Sequence, residues 1–200
     1  MNLILPDAAL LKTAYDRDLK ASFPPAELKP LRNIQTMTAA GLYHPWCLME
    51  GETLLGEAFL WLGHPGWALL DYLCVSSARR GGGLGASLLA ALQEAESPET
   101  VILAESEAPE SAPDAELARR RLGFYARNGL RTAGYNSEIF GVHYKTLYLA
   151  PSPVSDEVIL REHRHIYQST FPSSKFEQYV RIPRDPSAPP VPQIPWNEDP

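Results

Sequence analysis

The sequence predicts an α/β (α+β) protein built on a mixed, mostly antiparallel central sheet, with helices on both faces and extra helices at the C-terminus. Three observations predict it. Three strand-like segments follow one another, separated by turns, before any crossover helix appears. The third, Trp67 to Val75 (WALLDYLCV), is almost wholly apolar, as a strand covered on both faces should be. Helical and strand patterns then alternate and end in a pair of strands.

The elements follow in order. Asp7 caps a helix with Leu10, Leu11, Ala14 and Leu19 at near-helical spacing, and Phe23-Pro24-Pro25 breaks it. A second helical stretch runs through Leu28, Leu31, Ile34 and Met37 and stops at Gly41, so the first forty residues read as helical. Tyr43 to Met49 is a strand, Glu50-Gly51-Glu52 a hairpin turn, and Leu54 to Leu62 the partner strand. His64-Pro65-Gly66 turns the chain into Trp67 to Val75. Leu84, Leu88, Leu92 and Ala95 make an apolar stripe that predicts a helix from Gly83 to roughly Glu96. Val101 to Glu105 is another buried strand. Pro113, Asp114 and Glu116 open a helix that Gly129 closes, with Ala118, Leu122 and Tyr125 on its inner face. Arg131 to Tyr135 and His143 to Leu149 form the closing strand pair. Pro153 to about Phe171 and Ser173 to Ile182 read as helices. From Pro183 to Pro200 seven of eighteen residues are proline, so the tail is extended, with Ile194 and Trp196 as its expected anchors. The expected organisation is one domain over 1–182 and a proline-rich tail over 183–200.

Composition narrows the function. Two hundred residues, 44% of them apolar, fill the core of one domain. Eighteen basic against 24 acidic side chains leave a net charge of −6, a poor basis for binding nucleic acid or a membrane surface. The two cysteines, Cys47 and Cys74, are too few for a disulfide scaffold or a structural zinc site and read as reduced, buried thiols. The N-terminus has no secretory pattern, and no apolar run approaches the ~18–20 residues that span a bilayer. A cytoplasmic protein is expected.

The chemistry sits after Val75. Two arginines, Arg79 and Arg80, precede Gly81-Gly82-Gly83-Leu84-Gly85-Ala86, and a helix begins at once. The first N–H groups of a helix have no internal partner, and its dipole is positive there. Glycine lets the backbone approach an oxyanion with no Cβ in the way, so a pyrophosphate is the natural guest. Two site types fit. Gly81-x-Gly83-x-x-Ala86 matches the dinucleotide fingerprint, with Glu105 on the next strand. Against it, five residues separate Val75 from Gly81, and a hairpin precedes the motif.

The second type carries a family resemblance. Arg80-Gly81-Gly82-Gly83-Leu84-Gly85 resembles the Q/R-x-x-G-x-G/A loop of the GNAT acetyltransferases, and Phe124-Tyr125-Ala126-Arg127-Asn128-Gly129-Leu130 resembles their F/L-Y-x-x-x-G-F element. The two stand in the family's order, and the resemblance covers roughly Tyr43 to Leu149. It implies a GNAT-like fold and acetyl-CoA (coenzyme A) as cosubstrate. It implies that the backbone of Gly81 to Gly85, with Ala86 in the same turn, holds the pyrophosphate, with Arg80 beside it. The backbone of Leu73, Cys74 and Val75 would pair with the pantetheine arm, and Tyr125 would be a general acid. The family often has Asn where this chain has Ala118, and Gly129-Leu130 replaces Gly-Phe. In the family, variable elements such as the helices at 7–39 and 153–182 set the acceptor.

Acetyl transfer to an amine needs an amine that has lost its proton, donors for the developing oxyanion, and a proton for the leaving thiolate. Tyr125 suits the last role; its other reading is an ordinary buried tyrosine. Asp71, an acid inside the apolar strand and on one face with Leu73 and Val75, is a candidate base or half of a structural ion pair. Glu105 and Glu57 are weaker candidates. Tyr43, Trp46, Trp61 and Tyr144 line an acceptor pocket or fill the core. Arg119-Arg120-Arg121 reads as a solvated helix face. His163 and His165, two apart on a helix, diverge too far to share a metal. The sequence lacks the G-x-S-x-G, H-E-x-x-H and Walker motifs of hydrolases, zinc proteases and nucleotidases. The expected activity is acetyl transfer to the amine of a small molecule or peptide, without nucleic acid or membrane, and a homodimer is left open. A non-catalytic coenzyme A-binding module and a dinucleotide-binding protein are the alternatives.

Overall fold

The computed structural model describes residues 1–25, 27–76 and 81–193. Eight strands and the helices around them make a mixed, mostly antiparallel α/β architecture. The chain packs as two compact units. Among the described residues, the first holds Met1–Leu62 and Leu70–Pro98; the second holds Gly63–Leu69 and residues 99–193.

In the first unit β1 (Asn2–Ile4) pairs antiparallel with β2 (Tyr43–Glu50), placing Leu3 opposite Leu48. β2 pairs antiparallel with β3 (Thr53–Leu62), with Cys47 opposite Glu57 and a bulge at Leu48/Met49. Most of β4 (Trp67–Val75) follows β3 in strand order. Between β1 and β2 run α1 (Ala8–Ala14), a π-helical turn (Tyr15–Leu19), the short α2 (Lys20–Ser22) and α3 (Leu31–Ala39). Asp7 caps α1 as expected, accepting from the Leu10 N–H at 2.8 Å. Ala14 packs with Cys47, Met49 and Leu54, so an apolar helix stripe and the sheet face close on each other.

Two readings of this region are corrected. The first forty residues are not wholly helical, because Asn2–Ile4 is a strand and the described residues between Phe23 and Pro30 are not helix. Three residues are too few to show a period of two, so β1 comes from pairing with β2. The π-helical turn is a second departure: its extra residue helps place Asp18, 6% exposed, inside the unit. α4 (Leu84–Ala95) completes the unit and buries Leu88, Leu89 and Leu92, the predicted stripe.

In the second unit β5 (Val101–Glu107), β7 (Val142–Leu149), β6 (Arg131–Ile139) and β8 (Val180–Arg181) lie side by side, all antiparallel. α5 (Ala115–Arg127) is capped by Asp114, whose side chain accepts from the Leu117 N–H at 2.9 Å. α6 (Asp156–Gln168) and α7 (Ser173–Tyr179) follow. The helix expected to reach Ile182 stops at Tyr179 instead. The edge of β6 recruits Val180 and Arg181 as a strand, and the Phe140 N–H donates to the Tyr179 carbonyl at 2.9 Å. The described part of the proline-rich segment, residues 183–193, lies against the same unit. The Arg184 N–H donates to Asn136 O at 2.7 Å, the Val191 N–H donates to Glu138 Oε1 at 3.0 Å, and Val191 is buried. The anchors expected at Ile194 and Trp196 lie outside the described residues.

Candidate functional site

The glycine loop has the conformation its sequence demands. Gly83 is the N-cap of α4 in the left-handed region, at φ +78°, and Gly81 stands at φ +88°. A Cβ built on either would meet nothing within 4 Å. None of the described side chains beyond the loop therefore fills the cradle. No acidic residue sits in the first turn of α4, and no side chain among the described residues caps it. The Ser87 N–H is the first to bond back into the turn, to the Gly83 carbonyl at 3.1 Å. The N–H groups ahead of it, up to Ala86, belong to the first turn, where a helix has no carbonyls of its own to receive them, and can hold an anion. Gly82 is exposed, while Leu84, Gly85 and Ala86 are half-buried. Arg79 and Arg80, expected beside the pyrophosphate, lie outside the described residues.

β4 alternates as predicted. Tyr72 and Cys74 are buried, whereas Asp71, Leu73 and Val75 are half-buried on the other face. β3 supports the end of the strand. The Ser76 N–H donates to Leu55 O at 2.9 Å, and the Cys74 thiol donates to Glu57 Oε2 at 2.9 Å. Both cysteines are free and buried. Burial, reinforced by the charge of Glu57, pushes the Cys47 thiol up to about 12 and the Cys74 thiol higher still, so neither is a nucleophile at neutral pH.

Of the two readings of Asp71, the ion pair is the one observed. Lys29 Nζ stands 2.7 and 2.8 Å from its two oxygens, and the Tyr43 hydroxyl donates to Oδ2. The ammonium is itself buried, 3% exposed, and lies 4.5 Å from the centre of the Trp61 ring. The Lys29 N–H donates to the Tyr72 hydroxyl at 2.8 Å, and the Tyr15 hydroxyl donates to the Lys29 carbonyl at 2.9 Å. A carboxylate with both oxygens so engaged has little capacity left for a substrate proton. Burial first, and the charge of Asp71 second, raise the Tyr43 phenol well above its ordinary value. Tyr43 and Trp61 are fully buried and belong to the core, while Trp46 and Tyr144 are half-buried. Sequence reasoning missed Lys29. The only local signal is a lysine between Leu28 and Pro30, a poor place for a solvated cation.

Tyr125 belongs to the second unit, half-buried on α5. Its ring packs edge-on against Phe124 at 5.3 Å, and its hydroxyl makes no hydrogen bond among the described residues. Burial raises the phenol to about 12, partly opposed by the charge of Arg121. It stays protonated throughout the neutral and mildly alkaline range. Ala118, in the place of the family's asparagine, is fully buried. Arg119, Arg120 and Arg121 are exposed, as a solvated face requires.

Glu105 is locked by its neighbours. Ser137 Oγ donates to it at 2.9 Å and the Tyr167 hydroxyl at 2.7 Å, and His163 Nε2 lies 3.0 Å away. Burial pushes its carboxyl up, but the His163 contact and the two hydroxyls outweigh burial and hold it low. His163, unexposed, also meets the Tyr135 hydroxyl at 3.1 Å. His165 turns away from it and stacks on His64 at 3.5 Å, so the two histidines diverge as helix geometry requires.

Residues 10–124 match the model of the acetyltransferase (GNAT) family. No curated protein matches the chain. Among solved structures, a protein of Bacteroides thetaiotaomicron assigned to the GNAT acetyltransferases is 20% identical, with a TM-score of 0.70 over 85% of this chain and 97% of its own. An aminoglycoside 6'-N-acetyltransferase in complex with coenzyme A is 15% identical, with a TM-score of 0.61 over 78% of this chain and 100% of its own. The ribosomal-protein-S18-alanine N-acetyltransferase of Escherichia coli is 16% identical, with a TM-score of 0.56 over 78% and 96%. No helix among the described residues is long and apolar enough to cross a membrane.

Proposed function

The chain belongs to the GNAT family of acetyltransferases, whose cosubstrate is acetyl-CoA, and we propose that it acetylates a primary amine by direct attack of that amine on the thioester. The observation that carries the reading is the open glycine cradle at the start of α4. Acetyl-CoA, when bound, supplies the activated acetyl group and a thiolate leaving group. The backbone N–H groups of Gly81 to Ala86 hold its pyrophosphate at the positive end of the helix dipole. The half-buried face of β4 at Leu73 and Val75 lines its pantetheine arm, and the backbone of Leu73–Val75 polarises the carbonyl. Tyr125, protonated at neutral pH and with a hydroxyl that bonds to none of the described residues, donates a hydrogen bond toward the departing sulfur. Asp71 takes the ion-pair role, so the proton leaving the alkylammonium, with a pKa of about 10, passes to solvent.

The class of acceptor rests on the family. The named acceptors of two structural neighbours, an aminoglycoside and a protein alanine, share only an amine, and that is the class proposed here. The test is coenzyme A thiol release against a panel of primary amines, alongside thermal melting with acetyl-CoA. At a hundredfold excess over Kd, ligand linkage stabilises the folded state by about 2.7 kcal/mol, a readable rise in melting temperature. A melting curve that does not move at millimolar acetyl-CoA, with no thiol released from any amine, overturns the proposal.

A further inference from the structure

Glu57 lies on β3 with no solvent exposure, opposite Cys47 across the β2–β3 ladder. Its Oε2 accepts from the Cys74 thiol. Its Oε1 is buried and accepts from no donor among the described residues. Facing it is Asp18 from the π-helical turn, also buried. Asp18 is the ion-pair partner of Arg17, whose guanidinium donates through Nε at 2.9 Å and also reaches the Leu54 carbonyl at 3.0 Å. Two facing carboxylates have no hydrogen to share. A single proton on Glu57 turns the pair into a donor and an acceptor and gives the buried acid a partner. The groups that face Glu57 are Asp18 and Arg17 from the turn, Cys74 from β4 and Cys47 from β2.

We propose that Glu57, in its carboxylic-acid form, is a positioning residue for coenzyme A binding, tying the Leu73–Val75 segment of β4 to the π-helical turn at Asp18. The inference rests on the reading that this segment lines the pantetheine arm. The contact between the strands is tight at this point: a Cβ on Gly56 would stand 2.7 Å from the Cys74 carbonyl oxygen. A shift of the Glu57 side chain is therefore felt directly in β4. Burial raises the Glu57 carboxyl to about 8; the Cys74 hydrogen bond opposes this and the contact with Asp18 adds to it. At neutral pH the tie is made. As pH rises past that value Glu57 ionises against Asp18, and the tie becomes a repulsion inside the unit.

The test is calorimetric titration of the protein with coenzyme A between pH 6.5 and 9.5, for the wild type and for Glu57→Gln. The amide keeps an oxygen for the Cys74 thiol and an N–H for Asp18, and it cannot ionise. Wild-type affinity is expected to fall about tenfold per pH unit above about 8, the slope of one linked proton. Glu57→Gln is expected to lack that limb and to bind more tightly than the wild type at pH 9. Identical high-pH limbs in the two proteins overturn the positioning role and leave the coenzyme A reading intact. No binding by the wild type at pH 7 overturns the coenzyme A reading and this inference with it. If Glu57→Gln does not fold, carbon-13 NMR of the wild-type Glu57 carboxyl decides: an acid at pH 7 is expected, and an ionised group at pH 6 overturns the proposal.

Discussion

The seam between β3 and β4 and the loop before α4 both depend on glycine, and the two glycines are used for opposite reasons. At Gly56 a side chain would collide with its own unit, 2.7 Å from Cys74 O and 3.0 Å from Val75 Cγ1. At Gly83 a side chain would meet nothing within 4 Å, yet the backbone stands at φ +78°, where an L side chain is strained. The first glycine lets two strands of the chain approach each other. The second clears a space that none of the described residues fills. Read together, crowding around a glycine marks internal packing, and open space around a left-handed glycine marks room for a guest.

The largest expected effect comes from closing the seam. Gly56→Val forces a branched side chain against a backbone carbonyl that cannot rotate away. Overpacking of this kind destabilises by about 3 kcal/mol, at the upper end of its range. In a chain of this size that lowers the melting temperature by about 6–12 °C. Urea and thermal unfolding check it, and wild-type stability in this variant would break the comparison on its crowded side. The open side is broken by Gly83→Val. The left-handed backbone costs the fold only about 1–2 kcal/mol, so the protein still folds. The side chain now occupies the approach to the first N–H groups of α4. Loss of those donors is expected to weaken acetyl-CoA by about a hundredfold, roughly 2.7 kcal/mol. The acetyl-CoA-dependent rise in melting temperature should vanish in this variant, and a rise equal to that of the wild type would refute the cradle.

How far this contrast was readable in the sequence differs along the chain. The glycine loop was legible because the anion site is local: strand end, glycines and helix start lie within a dozen residues. The strands from Tyr43 to Val75 and the stripe of α4 were legible for the same reason, since each announces its own period. What stayed hidden is made at a distance. Lys29 meets Asp71 across 42 positions and His163 meets Glu105 across 58, so no window around either acid contains its partner. Asp18 was hidden differently. A regular helix gives no reason to bury an aspartate there; the π-helical turn places it, and the neighbouring Arg17 guanidinium pairs with it. β8 was misread because helix and strand compete at a boundary, and the open edge of β6 decided between them.

The same contrast between engaged and free groups separates two tyrosines, and it carries the smallest expected effect. Tyr43 is buried and spends its hydroxyl on Asp71, whereas the Tyr125 hydroxyl bonds to none of the described residues. Tyr43→Phe removes a hydrogen bond to a charged group and should appear as lost stability, about 1.5–3 kcal/mol. Tyr125→Phe removes a hydroxyl that bonds to none of the described residues, so the melting temperature should hardly move. If that hydroxyl assists the departing thiolate, turnover falls by at least about tenfold, roughly 1.4 kcal/mol, with little change in the KM for acetyl-CoA. Because burial keeps the phenol protonated up to about 12, its own ionisation should not limit the rate between pH 7 and 10. A Tyr125→Phe enzyme that turns over at the wild-type rate removes the acid role. One that melts several degrees lower shows instead that the hydroxyl is engaged, and places Tyr125 beside Tyr43 among the groups that hold the fold.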